Sequence, residues 1–396
     1  MELFGDTRSR HAARQTWQRR QRQRRRRRIV FGTTLAILVL IAGAVWYGVR
    51  ELLTLREVAD YPGTGTTEVV VQVEQGDTTR AIAARLVSEN VVKSVRAFTL
   101  AAEDSDQIRS VQPGYYVMRH RMSGDAAVHQ LLAPAARVGQ LSIRSGLQLD
   151  DVVLPDGKVV PGILSRISQA SCAELNGVST CVPPEELRRA IAATAPATLG
   201  VPDWALQAVL RVEPARRLEG LIMPGNYHVR PGSTGVELLV QMMSTSSARL
   251  QATGMPAGAQ ATGYTPYEVL IIASIIQREA IPADFGKVAR VVYNRLADGM
   301  PLQMDSTINY PLRRQELTTS DADRATPGPY NTYLNRGLPP SPIATPSAEA
   351  LAAAMHPEPG PWRYFVKCRA DGTSCFSVTI EQHRAAVADA RRRGIF

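Results

Sequence analysis

Thr265-Pro266-Tyr267-Glu268-Val269-Leu270-Ile271-Ile272-Ala273-Ser274-Ile275-Ile276-Gln277-Arg278-Glu279-Ala280 is the stretch from which the rest of this chain is read. Thr265 and Glu268 form a capping box around a proline at the first helical position, so a helix is predicted to start here. It should run to about Ala280, where Ile281-Pro282 stops it. At ~100° per residue, Glu279 falls roughly 20° from Ile272 and roughly 40° from Ile275, while Gln277 lies roughly 160° away. A carboxyl on the apolar stripe of a helix is costly to ionise, so its pKa should rise. A raised pKa lets a carboxylic acid keep its proton near neutrality and serve as a general acid. The pattern equally allows a glutamate at a helix end paired with Arg278 or Arg290.

Downstream, residues 284–296 read as a second helix. The segment Gly299-Met300-Pro301-Leu302-Gln303-Met304-Asp305-Ser306-Thr307 reads as a loop offering Gln303, Asp305 and Thr307. Two Pro/Gly-rich loops follow, carrying Tyr330, Asn331 and Tyr333. Sugars are bound by aromatic faces and hydrogen-bonding side chains, and loops like these can line a cleft. Tyr364-Phe365-Val366 and residues 373–378 are predicted to form a hairpin across Asp371-Gly372, while His356 reads as structural.

Upstream, the net charge of +10 invites a nucleic-acid reading until it is located. Residues 1–28 hold eleven arginines against Glu2 and Asp6, whereas the remaining residues carry 35 basic and 34 acidic side chains. A nucleic-acid-binding body would spread its basic groups over a folded face, so no nucleic-acid partner is expected. The tail abuts residues 29–49, IVFGTTLAILVLIAGAVWYGV, which carry no charge. About 20 apolar residues span the ~30 Å hydrocarbon core of a bilayer. A cleaved signal peptide would have a shorter apolar region, so a single transmembrane helix is predicted. The arginines should hold the N-terminus in the cytoplasm and everything after Arg50 outside it. Cys172, Cys181, Cys368 and Cys375 form two short-range pairs, compatible with disulfides on the exported side. Neither pair has the spacing of a metal site.

The chain therefore divides into a tail (1–28), a membrane helix (29–49), a stalk (50–67), a small module (68–122), a middle region (123–263) and a catalytic domain (264–396). The fold class is α+β. The module should run strand, helix, helix, strand: a strand over Glu68–Val73, a helix over Thr79–Ser88 that Asp77 or Thr78 can cap, a second helical stretch over Ser94–Ala102, and a strand at 115–119. In the middle region, weak signals suggest a strand at 141–144, helices at 183–194 and 232–243, and a flexible stretch at 256–262.

Val73-x-x-Gly76-Asp77-Thr78 followed by Ile82-Ala83, and Pro113-Gly114-Tyr115, resemble the opening and close of the glycan-binding LysM module. A spacer between membrane and catalytic domain is the other reading of this module. More specific is an ordered set of motifs: Ala273-Ser274-Ile275-Ile276-x-Arg278-Glu279, Asn294-Arg295-Leu296, Gly299-Met300-x-Leu302-Gln303-x-Asp305, Tyr330-Asn331-Thr332-Tyr333, Gly337-Leu338-Pro339-Pro340, Ile343-Ala344-Thr345-Pro346, His356-Pro357 and Tyr364-Phe365-Val366. Together they resemble the YceG-like family of endolytic murein transglycosylases. Family members typically carry two glutamates in the helix. This chain has Gln277 at the first position, leaving Glu279 alone to be the acid.

The resemblance implies a lyase that cuts the MurNAc-β-1,4-GlcNAc bond within nascent peptidoglycan strands and leaves 1,6-anhydro-MurNAc ends, with no cofactor. It further implies a bacterial cytoplasmic-membrane location, a role in ending strands, and peptidoglycan synthases as partners. Gln303, Asp305, Thr307, Tyr330, Asn331 and Tyr333 would bind substrate. Two alternatives stand beside it: a hydrolase using Glu279 with Asp305, and a non-catalytic membrane-anchored scaffold that binds glycan.

Overall fold

The computed structural model describes residues 32–50, 58–312 and 319–395. The arginine tail, part of the stalk and residues 313–318 therefore lie outside the described residues. Helix α1 (Gly32–Arg50) is long and apolar enough to cross a membrane. It belongs to a unit ending at Asp60, and a second unit takes in everything from Tyr61.

The second unit is a mixed α+β structure built on two hydrophobic clusters. The first holds β1 (Glu68–Val73), α2 (Thr79–Ser88), α3 (Val95–Glu103), β2 (Gly114–Arg119), α4 (Gly124–Leu132) and β3 (Arg137–Val138). Thr78 and Ser94 cap the first two of these helices by accepting from Ala81 N–H and Ala97 N–H; of Asp77 and Thr78 it is Thr78 that caps the first, and Ser94 precedes the second helix instead of opening it. Strands β1 and β2 pair antiparallel from Glu68 opposite Arg119 to Val73 opposite Gly114. Leu86, Phe98 and Met118 fill the space between sheet and helices. The core does not stop at residue 122: Ala127, Val128 and Leu131 of α4 pack into it, and β3 adds a third strand beside β2.

The second cluster runs from Leu141 to Met355, so residues on both sides of position 263 share one core. Here β4 (Gln140–Ile143) pairs antiparallel with β9 (Gly225–His228), between which lie the two-residue hairpins β5–β6 (Val152–Val153, Val159–Val160) and β7–β8 (Glu174–Leu175, Val178–Ser179). Helices α5 (Ile163–Ser171), α6 (Pro184–Ala193), α7 (Asp203–Val209), α8 (Gly235–Ala252) and α9 (Ala257–Gln260) complete this stretch. Two readings are corrected: α8 runs nine residues beyond 243, and the stretch read as flexible contains α9.

At the centre is α10 (Pro266–Glu279), begun by the Thr265–Glu268 capping box and ended at Ala280. Residues 269–276 are all buried. The helix is therefore apolar around its whole circumference and encased, and the single-stripe picture holds only for its polar last turn. It packs against α7, α9, α11 (Phe285–Ala297), α12 (Asp305–Leu312) and α14 (Ala348–Met355). Helix α13 (Asp321–Ala325) precedes α14. The chain closes with the antiparallel hairpin β10 (Tyr364–Lys367)–β11 (Ser374–Ser377), stapled by Cys368–Cys375, and with α15 (Ile380–Arg392) packed on it. The other two cysteines form Cys172–Cys181, which brackets β7–β8.

Candidate active site

Where α10 ends, its last turn comes out of the core into a cleft of about 700 Å³. Arg278 and Glu279 line it, together with Gln303, Asp305, Tyr333 and residues of β10 and α15. Gln277 points elsewhere, its side-chain oxygen accepting from Ser347 N–H at 2.9 Å. The helical spacing thus separates the two residues as predicted: one reaches the cleft and the other caps α14.

Glu279 is half-buried, and Ser306 holds it from the first turn of α12. The Ser306 hydroxyl donates to Oε1 at 2.5 Å and its backbone N–H to the same oxygen at 3.3 Å. Burial raises the Glu279 pKa; the two Ser306 bonds work against that, and Asp305 adds to the rise. Arg278 lowers it only weakly through space, and its guanidinium donates to Gly146 O at 3.3 Å. Arg290 bonds the carbonyls of Pro357 and Glu358. The ion-paired reading of Glu279 therefore has no support among the described residues.

Asp305 begins α12, so the segment read as a loop turns helical at this residue. Its Oδ1 accepts from Tyr333 Oη and Thr319 Oγ1, each at 2.6 Å, and Oδ2 pairs with Arg324 at 3.4 Å. Burial, then the bond to Asp305, pushes the Tyr333 phenol well above its usual range, so Tyr333 is a firm donor. Gln303 reaches the cleft from a left-handed backbone conformation (φ +52°) that a residue other than glycine adopts only under constraint. Its N–H is fixed to Thr332 O at 3.0 Å.

Three of the proposed sugar-binding residues do not reach the cleft. Thr307 is buried and donates to Met304 O while sharing a hydrogen bond with Thr332 Oγ1. Tyr330 is buried against Tyr310 and bonds Ser341. Asn331 ties Arg324 O and Thr326 O to the N–H of Tyr333. These side chains shape the loop that presents Tyr333, and Asn331 acts as its internal clamp.

Sequence reading missed Ser306, the cationic side chains of the cleft and a fully buried acid, Glu219. Glu219 is 2% exposed and burial pushes its pKa up to about 8. It accepts from Leu149 N–H at 3.2 Å and from Tyr310 Oη at 3.1 Å. Tyr310 lies in α12, so Glu219 secures the later part of the helix whose first turn holds Glu279. The signal available in the sequence was one acid inside the apolar run Leu218-Glu219-Gly220-Leu221-Ile222-Met223.

Comparison with known proteins comes to the same place. The model of the YceG-like family matches residues 71–389. A Bacillus subtilis (strain 168) protein named endolytic murein transglycosylase is 26% identical over 349 residues, which is 88% of this chain and 90% of that protein. A protein of the same name from Streptococcus pneumoniae serotype 2 is 29% identical over 179 residues, 44% of this chain and 32% of its own length. A crystal structure of a YceG-like protein from Listeria monocytogenes superposes with a TM-score of 0.53 at 23% identity, covering 81% of this chain and 99% of that one. That likeness concerns the fold alone.

Proposed function

The chain belongs to the YceG-like family, and from that premise we propose that it is an endolytic murein transglycosylase with Glu279 as its acid and base. The observation that carries the reading is a half-buried carboxyl of raised pKa at the wall of a cleft large enough for sugar units. Both hydrogen bonds from Ser306 fall on Oε1, which leaves Oε2 to carry the transferable proton. Glu279 donates that proton to the glycosidic oxygen as the bond to muramic C1 breaks through an oxocarbenium-like transition state. The carboxylate so formed is stabilised by the Ser306 N–H at the start of α12. It then takes the proton of the muramic C6 hydroxyl while that oxygen bonds C1 and closes the 1,6-anhydro ring. With the nucleophile supplied by the sugar, no second carboxylate is needed.

The hydrolase reading would make Asp305 the second carboxylate. Its oxygens are already engaged by Tyr333, Thr319 and Arg324, which suits a residue that orders the cleft better than one that activates water. Within this proposal, Asp305, Tyr333 and Gln303 position the sugar, α1 anchors the chain in the cytoplasmic membrane with the folded unit outside, and the β1-α2-α3-β2 module takes glycan as LysM-like modules do.

The test is product analysis. The full-length chain in detergent, given peptidoglycan strands, should release fragments ending in anhydro-muramic acid, identified by mass. Glu279→Gln should lower the rate by about 10²–10⁴-fold, the range of general acid catalysis. Reducing muramic ends instead of anhydro ends would establish hydrolysis, and an unimpaired Glu279→Gln variant would remove Glu279 from the chemistry.

A further inference from the structure

Five cationic side chains line the cleft, Arg278, Arg295, Arg324, Lys367 and Arg391, against two carboxyls, Glu279 and Asp305. Asp305 is matched by Arg324, and Glu279 holds a proton when it acts as an acid. His383, kept neutral by burial and by Arg295, adds no charge. The cleft is thus strongly positive while residues 29–396 as a whole carry 35 basic and 34 acidic side chains. Its charge is a local concentration, not a sample of the surface.

A glycan backbone of acetamides and hydroxyls can accept hydrogen bonds from such side chains, but it is uncharged and offers nothing to balance so many cations. Arg278 and Arg295 are partly accounted for by bonds to backbone carbonyls. Lys367 and Arg391 are exposed at the rim, and among the described residues neither has a carboxylate partner. They are also rigidly mounted. Lys367 ends β10 beside the Cys368–Cys375 staple, and Arg393 of the same chain end donates to Cys368 O at 2.8 Å, tying α15 to the hairpin.

Resting on the transglycosylase reading, we propose that Lys367 and Arg391 form a subsite for the carboxylates of the peptide stem carried by the muramic residue. The stem hangs from the lactyl group at O3 of the sugar whose C1 reacts, so its carboxylates fall beside the acid at each productive encounter. A second source of negative charge is the lipid diphosphate at the end of a nascent strand. An endolytic cut falls some sugars away from it, and so the stem is the anion within reach. Positive clefts concentrate such ligands and raise their encounter rate.

The experiment couples substrate and protein changes. Strands are used native, or with their stem carboxyls converted to amides, which preserves length, sugars and stem bulk. Full-length protein should show a KM about five- to tenfold higher on amidated strands, a size suited to a few partly exposed ion pairs. The Lys367→Gln/Arg391→Gln variant should show a similar rise on native strands and no further penalty for amidation. Equal KM on both substrates, or an amidation penalty that persists in the variant, overturns the proposal. An effect lost when the lipid diphosphate is removed assigns the anion to the lipid and overturns it too. Affinities of the Glu279→Gln variant for the two strand types give the same comparison without turnover. If native strands are bound with charge preference but not cleaved to anhydro ends, the reaction reading fails and the subsite stands.

Discussion

Two hydrogen bonds from Ser306 pull the Glu279 pKa down while burial and Asp305 push it up, so substitutions at the two neighbours should move it in opposite directions. The acid works when protonated, and activity is lost as pH rises through its pKa. Ser306→Ala removes a donor to the carboxylate, raises the pKa further and should carry the alkaline limb of kcat/KM to higher pH, with a reduced maximum because the carboxyl is less well held. Asp305→Asn removes a negative neighbour and should carry the limb to lower pH. Both shifts are read from pH–rate profiles of the purified chain. If the two limbs move the same way, another group titrates. Only part of this residue-scale picture was legible in the sequence. That Glu279 and Gln277 face apart was legible because a helix fixes angles from one residue to the next. Thr307, Tyr330 and Asn331 are hydrogen-bonding side chains as Gln303, Asp305 and Tyr333 are, and spacing cannot say which polar side chains of a loop turn toward a cleft.

Helix α12 links half-buried Glu279 to buried Glu219, with Ser306 bonded to the first at its start and Tyr310 to the second near its end. The Glu219 pKa rises from an ordinary 4.5 to about 8 on folding, so the fold favours its neutral form. The stability this provides is complete below pH ~4.5, declines as pH climbs toward 8, and is gone above that. Wild-type Tm should therefore fall across that window, and Glu219→Gln, neutral throughout, should give a shallower slope. An unchanged slope would mean that Glu219 is ionised in the folded chain at neutral pH. Helix α10 was legible because its capping box is written in four consecutive residues. Helix α12 was not: its start follows Gly299-Met300-Pro301, Pro311 lies inside it, and contacts with Thr332 and Glu219 from distant segments support it. The extent of the first cluster was missed for a related reason, since α4 joins it through packing and a Gln130 bond to Val117 O that no local spacing announces.

At the scale of the whole molecule, the proposed arrangement across a membrane can be tested through the cysteines. The eleven arginines of residues 1–28 precede a helix able to span a bilayer, which favours their retention in the cytoplasm. The four cysteines, all beyond that helix, are joined as Cys172–Cys181 and Cys368–Cys375, and such bonds persist outside the reducing cytosol. The second pair also fixes the rim that bears Lys367, so the compartment bears directly on the cleft. Membranes quenched in acid to stop thiol–disulfide exchange, then denatured and treated with a maleimide of known mass, should yield the full-length chain with no thiol labelled; after reduction, all four cysteines should label. Labelling before reduction would place the folded unit on the reducing side, away from polymerised peptidoglycan strands, and the anchored, outward-facing arrangement would have to be abandoned even if Glu279 proved catalytic in detergent.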